Sequence, residues 1–562
     1  MYLSLLKEKL ATLLQVSPDD FVYPLQPDLG DLSLPMFAAA KSSGVNPALL
    51  AKTQAESLQV VPELKNLVSR VEAVGPYLNF FLEPLSLVAG AINDVSREGN
   101  KFGWAETEKP ERIMLEYSNA NTHKEYHVGH LRNLFFGDAV TKILSANGYQ
   151  AIPVSYINDF GIHVAKTLWH WQRTPAYVQQ TGPQGRLLGE CYSQAASLLG
   201  DNEAAKAEVS ETMKAIESRQ GETYQLWQET RSWSIAYFAE IYERLGIKFD
   251  HIFYESEVIE EGLRIVEEFL QRGIFVRSQG AVIADLEAYG LGVMPIIRSD
   301  GTALYPVADL ALARQKFRQY NLQESIYIVD VRQGLHFRQL AQIFVLAGEK
   351  FQITHLGYDF VTLKNGMMSS RSGNVITYDQ ILEEAISRAN KEVSARHEDW
   401  PVEKIESTSE ALAIAALKFE MLKVSADKVI TFDVDEALRF DGYTAAYLQY
   451  TGARLASIMR KSTIDSTGAD LSNLNHPKEV SLALRLEQFP EIVIKSGQQR
   501  DPSIVARYLF ELAQVCNDYY HEVNILKAES SLAAARLALL QSMRQVLSNG
   551  FSLLGFSYLE EM

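Results

Sequence analysis

Ile113-Met114-Leu115-Glu116-Tyr117 is a short apolar run, followed by the polar stretch Ser118 to Tyr126 and then by His127-Val128-Gly129-His130, where a helical pattern begins and runs to about Asn147 before Gly148. A strand, a loop and a helix start in that order bring free backbone N–H groups and the positive end of a helix dipole together, a natural seat for a phosphate. The two histidines, three residues apart, share one side of the first helical turn. Gly129 between them has no Cβ, so a flat base or sugar can approach the backbone closely. Lys124 adds a cation beside them. In isolation a histidine pair at a helix start also fits exposed caps or two zinc ligands lacking a third; its surroundings separate these readings.

Those surroundings are α/β. From about Glu111 to Tyr378, apolar strands alternate with helices, among them Arg112 to Tyr117, Ala151 to Ile157, Ala281 to Leu286, Ser325 to Val329 and His355 to Val361. This rhythm predicts a parallel sheet built from βαβ units. Thr167 to Leu245 is helical and highly charged, and reads as an insertion between strands. Directly after the last strand, about 240 residues past His127, the Gly/Ser/Asn-rich loop Asn365 to Asn374 contains Met367-Met368-Ser369-Ser370-Arg371. Two hydroxyls and a guanidinium on a loop can clamp a polyphosphate as charge grows on its leaving side. Alone, this is equally a surface loop with an incidental arginine; the pair of motifs makes the argument.

On either side the pattern changes. Residues 1–105 read as a small α+β unit, with helices over Met1 to Leu14, Pro35 to Ala40 and Pro47 to Leu58 and a strand over Pro76 to Leu82. Polar residues and glycines over Arg97 to Pro110 predict a linker. After about Tyr378 strands give way to helical stripes such as Leu412/Ala415/Phe419/Leu422 and Leu448/Thr451/Leu455/Ile458, so residues 385–562 read as a helix bundle, with Lys461 to His476 a surface loop. At about 100 to 200 residues per domain, 562 residues allow roughly three to five domains. Hydrophobic residues at 47% and charged residues at 22% exclude a disordered or collagen-like chain. Cys191 and Cys516, far apart and outside any CxxC, exclude a disulfide framework and a cysteine-built zinc site. Leu3, Leu6, Leu10 and Leu13 among Lys7, Glu8 and Lys9 form an amphipathic helix rather than a signal peptide, and no run approaches the ~18 apolar residues of a membrane span, so a cytoplasmic protein with no membrane partner is expected. The net charge, 53 − 70 = −17, excludes a chain-wide basic surface.

Together the two motifs resemble the HIGH and KMSKS signatures of class I aminoacyl-tRNA synthetases. The finer resemblance is to the arginyl-tRNA synthetase family and covers essentially the whole chain. It rests on Glu116 to Asn133, on Arg298-Ser-Asp-Gly-Thr-Ala-Leu-Tyr305-Pro-Val-Ala-Asp309, on Asp330-Val-Arg-Gln333-Gly-Leu-His336, on Phe440 to Tyr450 and Tyr508 to Tyr520, and on Gly30 to Leu34 and Gly75 to Phe80. It implies a Rossmann-type catalytic domain over 106–384 with a helical insertion at about 167–245, an N-terminal add-on domain over 1–105 and a helical anticodon-binding domain over 385–562. The reaction it implies attacks the α-phosphorus of ATP with the arginine carboxylate, releases pyrophosphate, and passes the arginyl group to a ribose hydroxyl of the terminal adenosine of tRNA-Arg. Activation is expected only with tRNA bound. No protein nucleophile is needed. His127, Gly129, His130, Lys124, Ser369, Ser370 and Arg371 are implied at the reacting phosphates, with ATP also meeting His336 and Met368 and carrying Mg²⁺; no resident metal or tightly bound cofactor is expected, and the family expectation is a monomer.

A guanidinium keeps its charge and offers a planar fork of donors, so selecting it needs carboxylates held in a pocket. Glu255 and Asp309 are implied there, with Tyr305 one turn before Asp309. Asn121 and Gln333 are implied at the α-ammonium, and Glu116 in support. For tRNA the resemblance points to Tyr77, Asn79, Tyr447, Gln449 and Arg454. The aromatic residues Tyr447, Tyr450, Tyr519 and Tyr520 read either as core or as stacking platforms. Arg454, Arg460, Lys461, Arg485, Lys495, Arg500 and Arg507 are a candidate basic patch, so charge per patch matters more than the total of −17. Salt-sensitive tRNA affinity is expected. Three departures stand out: Met367 replaces the first lysine of KMSKS, a role expected to pass to Lys124; Val307-Ala308 precede Asp309; and Tyr443 follows Gly442. A synthetase for another amino acid, a non-catalytic RNA-binding paralogue and a purely structural protein are the competing readings.

Overall fold

The computed structural model describes residues 2–24, 26–59, 61–178, 184–200, 202–363 and 376–562. At the N-terminal end, α1 (Tyr2–Leu14), β1 (Leu32–Pro35), α2 (Phe37–Ser43), α3 (Pro47–Leu58), β2 (Val68–Val74), β3 (Tyr77–Leu82) and α4 (Pro84–Glu98) form an α+β unit. Its antiparallel sheet has the order β1-β3-β2. Leu3, Leu6 and Leu10 turn inward, as their helical spacing requires. Asn46 accepts from the N–H groups of Ala48 and Leu49 while Pro47 opens α3, a start legible in sequence. The strand β2, with Ser69, Arg70 and Glu72 among its valines, carries too many polar residues to be read beforehand.

Next, β4 (Arg112–Glu116) leads through α5 (Val128–Ala146) to β5 (Gln150–Ile157). Five helices follow: α6 (Ile162–Arg173), α7 (Pro175–Val178), α8 (Gln184–Leu199), α9 (Glu203–Glu217) and α10 (Gly221–Arg244). Then come β6 (His251–Tyr254), α11 (Glu255–Gln271), the strands β7 (Val276–Ser278), β8 (Ala281–Asp285) and β9 (Val293–Ile297), α12 (Tyr305–Tyr320), β10 (Glu324–Asp330), α13 (Gly334–Leu346) and β11 (Gln352–Tyr358). The central sheet is parallel with order β11-β10-β4-β5-β6. Because the chain winds outward from β4 in one direction and returns to β10 on its other side, the switch point lies between β4 and β10, and the crevice at their C-terminal ends is where such a sheet binds ligands.

Two strand expectations are corrected. Ala281 to Leu286 does not join the parallel sheet; β8 is the centre of a separate antiparallel meander, β7-β8-β9, because short connections and no α-helix separate the three. The last strand runs over Gln352–Tyr358 rather than from His355 to Val361, since the seven residues of β10 pair in register from Glu324↔Gln352 to Asp330↔Tyr358. Val361 belongs to β12 (Val361–Leu363), which pairs with the distant β13 (Ile430–Phe432).

The remainder is helical: α14 (Tyr378–Arg396), α15 (Val402–Leu422), the short α16 (Val434–Ala437), α17 (Ala445–Lys461), α18 (Pro477–Gln499), α19 (Ser503–Glu522) and α20 (Ser530–Leu554). It packs against the opposite side of α5, whose residues are buried all around the helix, from Val128 and Leu131 to Phe135, Phe136 and Ile143. A helix apolar on every side has to be central, so the helix that carries the histidine pair is also the axle between sheet and helical region. No helix among the described residues is long and apolar enough to cross a membrane.

Candidate active site

The loop from β4 to α5 is shaped by two non-glycine residues in the left-handed region, Ser118 at φ 59° and His123 at φ 62°. The His123 ring is buried and held at both nitrogens, by Thr122 Oγ1 at 2.9 Å and Thr230 Oγ1 of α10 at 2.8 Å. Beyond it, the His127 backbone N–H donates to His130 Nδ1 at 3.2 Å, and the two imidazoles stack with centroids 3.7 Å apart. A Cβ on Gly129 would come within 3.1 Å of the His127 ring, so glycine keeps the stack uncrowded. Burial, with the Lys124 charge adding to it, pushes His127 down to about 4, and burial, His127 and Lys124 hold His130 well below the usual histidine range. Both rings are therefore neutral near pH 7 and can offer a phosphate hydrogen bonds, leaving Lys124 as the cation. Its ammonium lies 5.0 Å over the Tyr192 ring of α8.

Met367, Met368, Ser369, Ser370 and Arg371 lie outside the described residues. The chain following them is fastened to the histidine segment: the Val128 N–H donates to Ile376 O at 3.3 Å and the Tyr378 N–H to Tyr126 O at 2.7 Å. The segment from Ile376 to Tyr378 is thus anchored to the histidine segment, remote as it is in sequence.

A cleft of about 1220 Å³ is lined by Phe160, His163, Tyr224, Glu255, Tyr305 and Ala308 among others. Glu255 opens α11, and its Oε2 is buried without a partner. Burial and the neighbouring charges of Asp309 and Asp159 push its carboxyl up to about 8. His336 Nε2 donates to Asp309 Oδ2 at 2.7 Å, so this histidine orients a carboxylate whose charge reaches Glu255, although Asp309 itself does not line the cleft. Tyr305, at the start of α12, is 71% exposed and covers nothing as it stands. Asn121 and Gln333 flank the crevice without lining the cleft, Asn121 in a bridge to Asn158 and Gln333 at the turn after β10. Glu116 is buried, with Oε1 accepting from Asn119 at 2.8 Å and Oε2 paired with the enclosed Lys316, so it has no oxygen left for a ligand. Sequence reasoning missed Asp159, His163 and Arg231; only the position of Asp159, just past the end of a sheet strand, was a signal for any of them.

In the helical region a second cavity, about 720 Å³, is lined by Trp400, Tyr450, Arg454, Lys461, Tyr520 and Lys527 among others. The Arg454 guanidinium lies 4.9 Å from the rings of both Tyr450 and Tyr520 and donates to Asn517 Oδ1 at 3.3 Å. Tyr447 accepts from Asn517 Nδ2 at 2.8 Å, whereas Tyr519 is a core residue. Three expectations for tRNA contact are redirected. Gln449 is fully buried and spends both ends of its amide on the C-terminal segment, donating to Ser557 O and accepting from the Leu559 N–H. Asn79 is buried and accepts from Ser33 Oγ at 2.6 Å, bracing β1 to β3, while Tyr77 stays exposed against Phe37. Arg500 turns inward onto Glu324 of β10, at 2.7 Å, and leaves the patch.

The chain matches the family model described as "tRNA synthetases class I (R), catalytic domain" over residues 91–433, "DALR anticodon binding domain" over 448–562 and "Arginyl tRNA synthetase N terminal domain" over 2–82. An arginine–tRNA ligase of Bdellovibrio bacteriovorus is 33% identical, covering 96% of this chain and 94% of its own length. One of Treponema pallidum is 32% identical at the same coverage, 96% and 94%. Among solved structures, the Thermus thermophilus arginyl-tRNA synthetase aligns over 100% of both chains with a TM-score of 0.81 and 27% identity. Because these matches run from end to end and in one order, the likeness is that of the whole molecule rather than of a shared sheet, and the chain belongs to the arginyl-tRNA synthetase family of class I aminoacyl-tRNA synthetases.

Proposed function

We propose that the chain ligates L-arginine to the terminal adenosine of tRNA-Arg, forming arginyl-adenylate from arginine and ATP and then passing the acyl group to a ribose hydroxyl with release of AMP. The observation that carries the choice of amino acid is Glu255: a buried carboxylate with an unpartnered oxygen, facing a cleft and accompanied by Asp309, is a receptor for a buried cation with a fork of donors. Asp309, held by His336, is its second acceptor, and Tyr305 closes over the side chain once it is bound. Asn121 and Gln333 receive the α-ammonium.

At the phosphates the chain works by position and charge. His127 and His130 donate hydrogen bonds to the non-bridging oxygens that gain charge as the arginine carboxylate attacks the α-phosphorus, and Lys124 stabilises the departing pyrophosphate together with Ser369, Ser370 and Arg371. Magnesium enters as part of the substrate, on the phosphates of ATP. The cavity around Arg454, with Tyr450 and Tyr520, suits a splayed base stacked between aromatic and guanidinium planes, which makes it the anticodon contact of this reading.

ATP–pyrophosphate exchange with each amino acid, with and without tRNA-Arg, tests the whole. The expected result is exchange with arginine alone and only when tRNA is present. Exchange without tRNA overturns the tRNA requirement, exchange with another amino acid overturns the pocket assignment, and no exchange under any condition supports the RNA-binding paralogue instead.

A further inference from the structure

Asp159, which follows β5, is completely enclosed, and its carboxylate is saturated: Oδ2 accepts from Arg231 Nε at 2.5 Å and from Ser256 Oγ at 2.7 Å, and Oδ1 accepts from the Ser256 N–H at 2.9 Å. Ser256 adjoins Glu255, so a closed carboxylate sits directly behind an open one. Arg231 comes from α10 of the insertion. Its guanidinium lies 4.2 Å over the Tyr254 ring and 3.9 Å from Glu257, and Trp227 of the same helix donates to Asp159 O at 2.9 Å. The insertion therefore reaches the acidic end of the cleft with an indole and a cation.

Glu255 feels the charges of Asp309 from α12 and Asp159 from the end of β5, with the phenol of Tyr156 near it on β5; Arg231 from α10 reaches Glu257 on the helix of Glu255, and Arg298 lines the same cleft. Tyr156 stays protonated, since burial and these carboxylates hold it well above the usual phenol range. Three carboxylates thus converge where a substrate guanidinium brings one positive charge. Arg231 offsets part of the Asp159 charge; without it, Asp159 would bear on Glu255 more strongly and favour the protonated, non-binding form.

We propose that Arg231 is a positioning residue for amino-acid selection, neutralising Asp159 behind Glu255 so that the Glu255 carboxylate is left to the guanidinium of the incoming amino acid. This rests on the reading of Glu255 as the receptor of arginine, and it gives the helical insertion a part in choosing the substrate.

The test is the pH profile of kcat/KM for arginine in tRNA-dependent exchange by the full chain. In the unaltered protein it rises with pH through a midpoint near 8 and levels above it, because Glu255 is mostly protonated below that value and mostly ionised above it. Glu255→Gln abolishes the rise; if the rise persists there, the reading of Glu255 itself fails. Arg231→Gln moves the midpoint up by ~1 in pH and raises the arginine KM near pH 7 by ~10-fold, with kcat changed far less. Arg231→Lys keeps the charge and the original midpoint, and the double variant Asp159→Asn/Arg231→Gln brings the midpoint back, since both charges are gone. A midpoint that stays in place in Arg231→Gln, or a double variant that does not restore it, overturns the inference and leaves Arg231 a structural brace.

Discussion

His127 and His130 show how burial changes the role of a residue pair. Stacked and half-buried beside Lys124, they are neutral near pH 7, so in the function proposed above they orient a phosphate by hydrogen bonds while the charge comes from elsewhere. With Met367 in place of the first KMSKS lysine, Lys124 is the cation whose charge acts on both histidines. Lys124→Ala is expected to lower tRNA-dependent pyrophosphate exchange by ~10²–10³-fold, the usual loss on deleting one stabilising group at a reacting centre; activity within a few-fold of the unaltered protein removes Lys124 from that role. Glu116, by contrast, was legible as an acid near the site but its task was not. Its partner Lys316 is 200 residues away, and a buried pair of that separation has no local signature.

Among the elements, α10 does more than fill an insertion. Thr230 and Ser234 hold His123 in its left-handed turn, Trp227 and Arg231 hold Asp159, and Tyr242 bonds Ser118 Oγ at 2.8 Å. The loop that carries Asn121 and Lys124 therefore takes its shape from a helix about a hundred residues downstream. Thr230→Val leaves His123 Nε2 buried without a partner and is expected to cost ~1–3 kcal/mol, read as a lowered midpoint of thermal unfolding; Thr230→Ser, which keeps the hydroxyl, is expected to cost much less. That Thr167 to Leu245 is helical followed from its periodicity. That its inner face holds His123 and Asp159 did not, because the contacting positions, Trp227, Thr230, Arg231 and Ser234, look in sequence like any buried helical stripe.

Across the molecule, three cations, the buried Arg132 and Lys418 and the half-buried Arg500, tie the helical region to the α/β region. Arg132, two residues after His130, donates to the carbonyls of Met421, Ser425 and Ala426 at the end of α15, where the negative end of the helix dipole receives it. Lys418 donates to Leu245 O at 2.7 Å and Gly555 O at 2.5 Å, and Arg500 pairs with Glu324. Arg500→Ala strands a buried carboxylate of the central sheet and is expected to cost ~3 kcal/mol, near the lower end for breaking a buried pair because Thr354 still donates to Glu324; denaturant unfolding with an unchanged slope checks it. The net charge of −17 is compatible with an RNA partner because cations gather locally: Arg454, Lys461 and Lys527 share one cavity.

The sequence by itself determined the alternating α/β block, the helical C-terminal third, the strand-loop-helix seat of the histidine pair and, through motifs in order along the chain, the family. These depend on periodicity and on neighbours within a few residues, which a chain displays openly. Tertiary structure alone decided which residues meet: that Arg500 faces the sheet instead of RNA, that Gln449 clasps the C-terminal segment, that β8 stands apart from the parallel sheet, and that Arg231 closes Asp159 and leaves Glu255 open. Apart from the local meander of β8, each of these turns on a contact between residues far apart in the chain, and such contacts are chosen by the packing of whole elements, not by any property of the segments that make them.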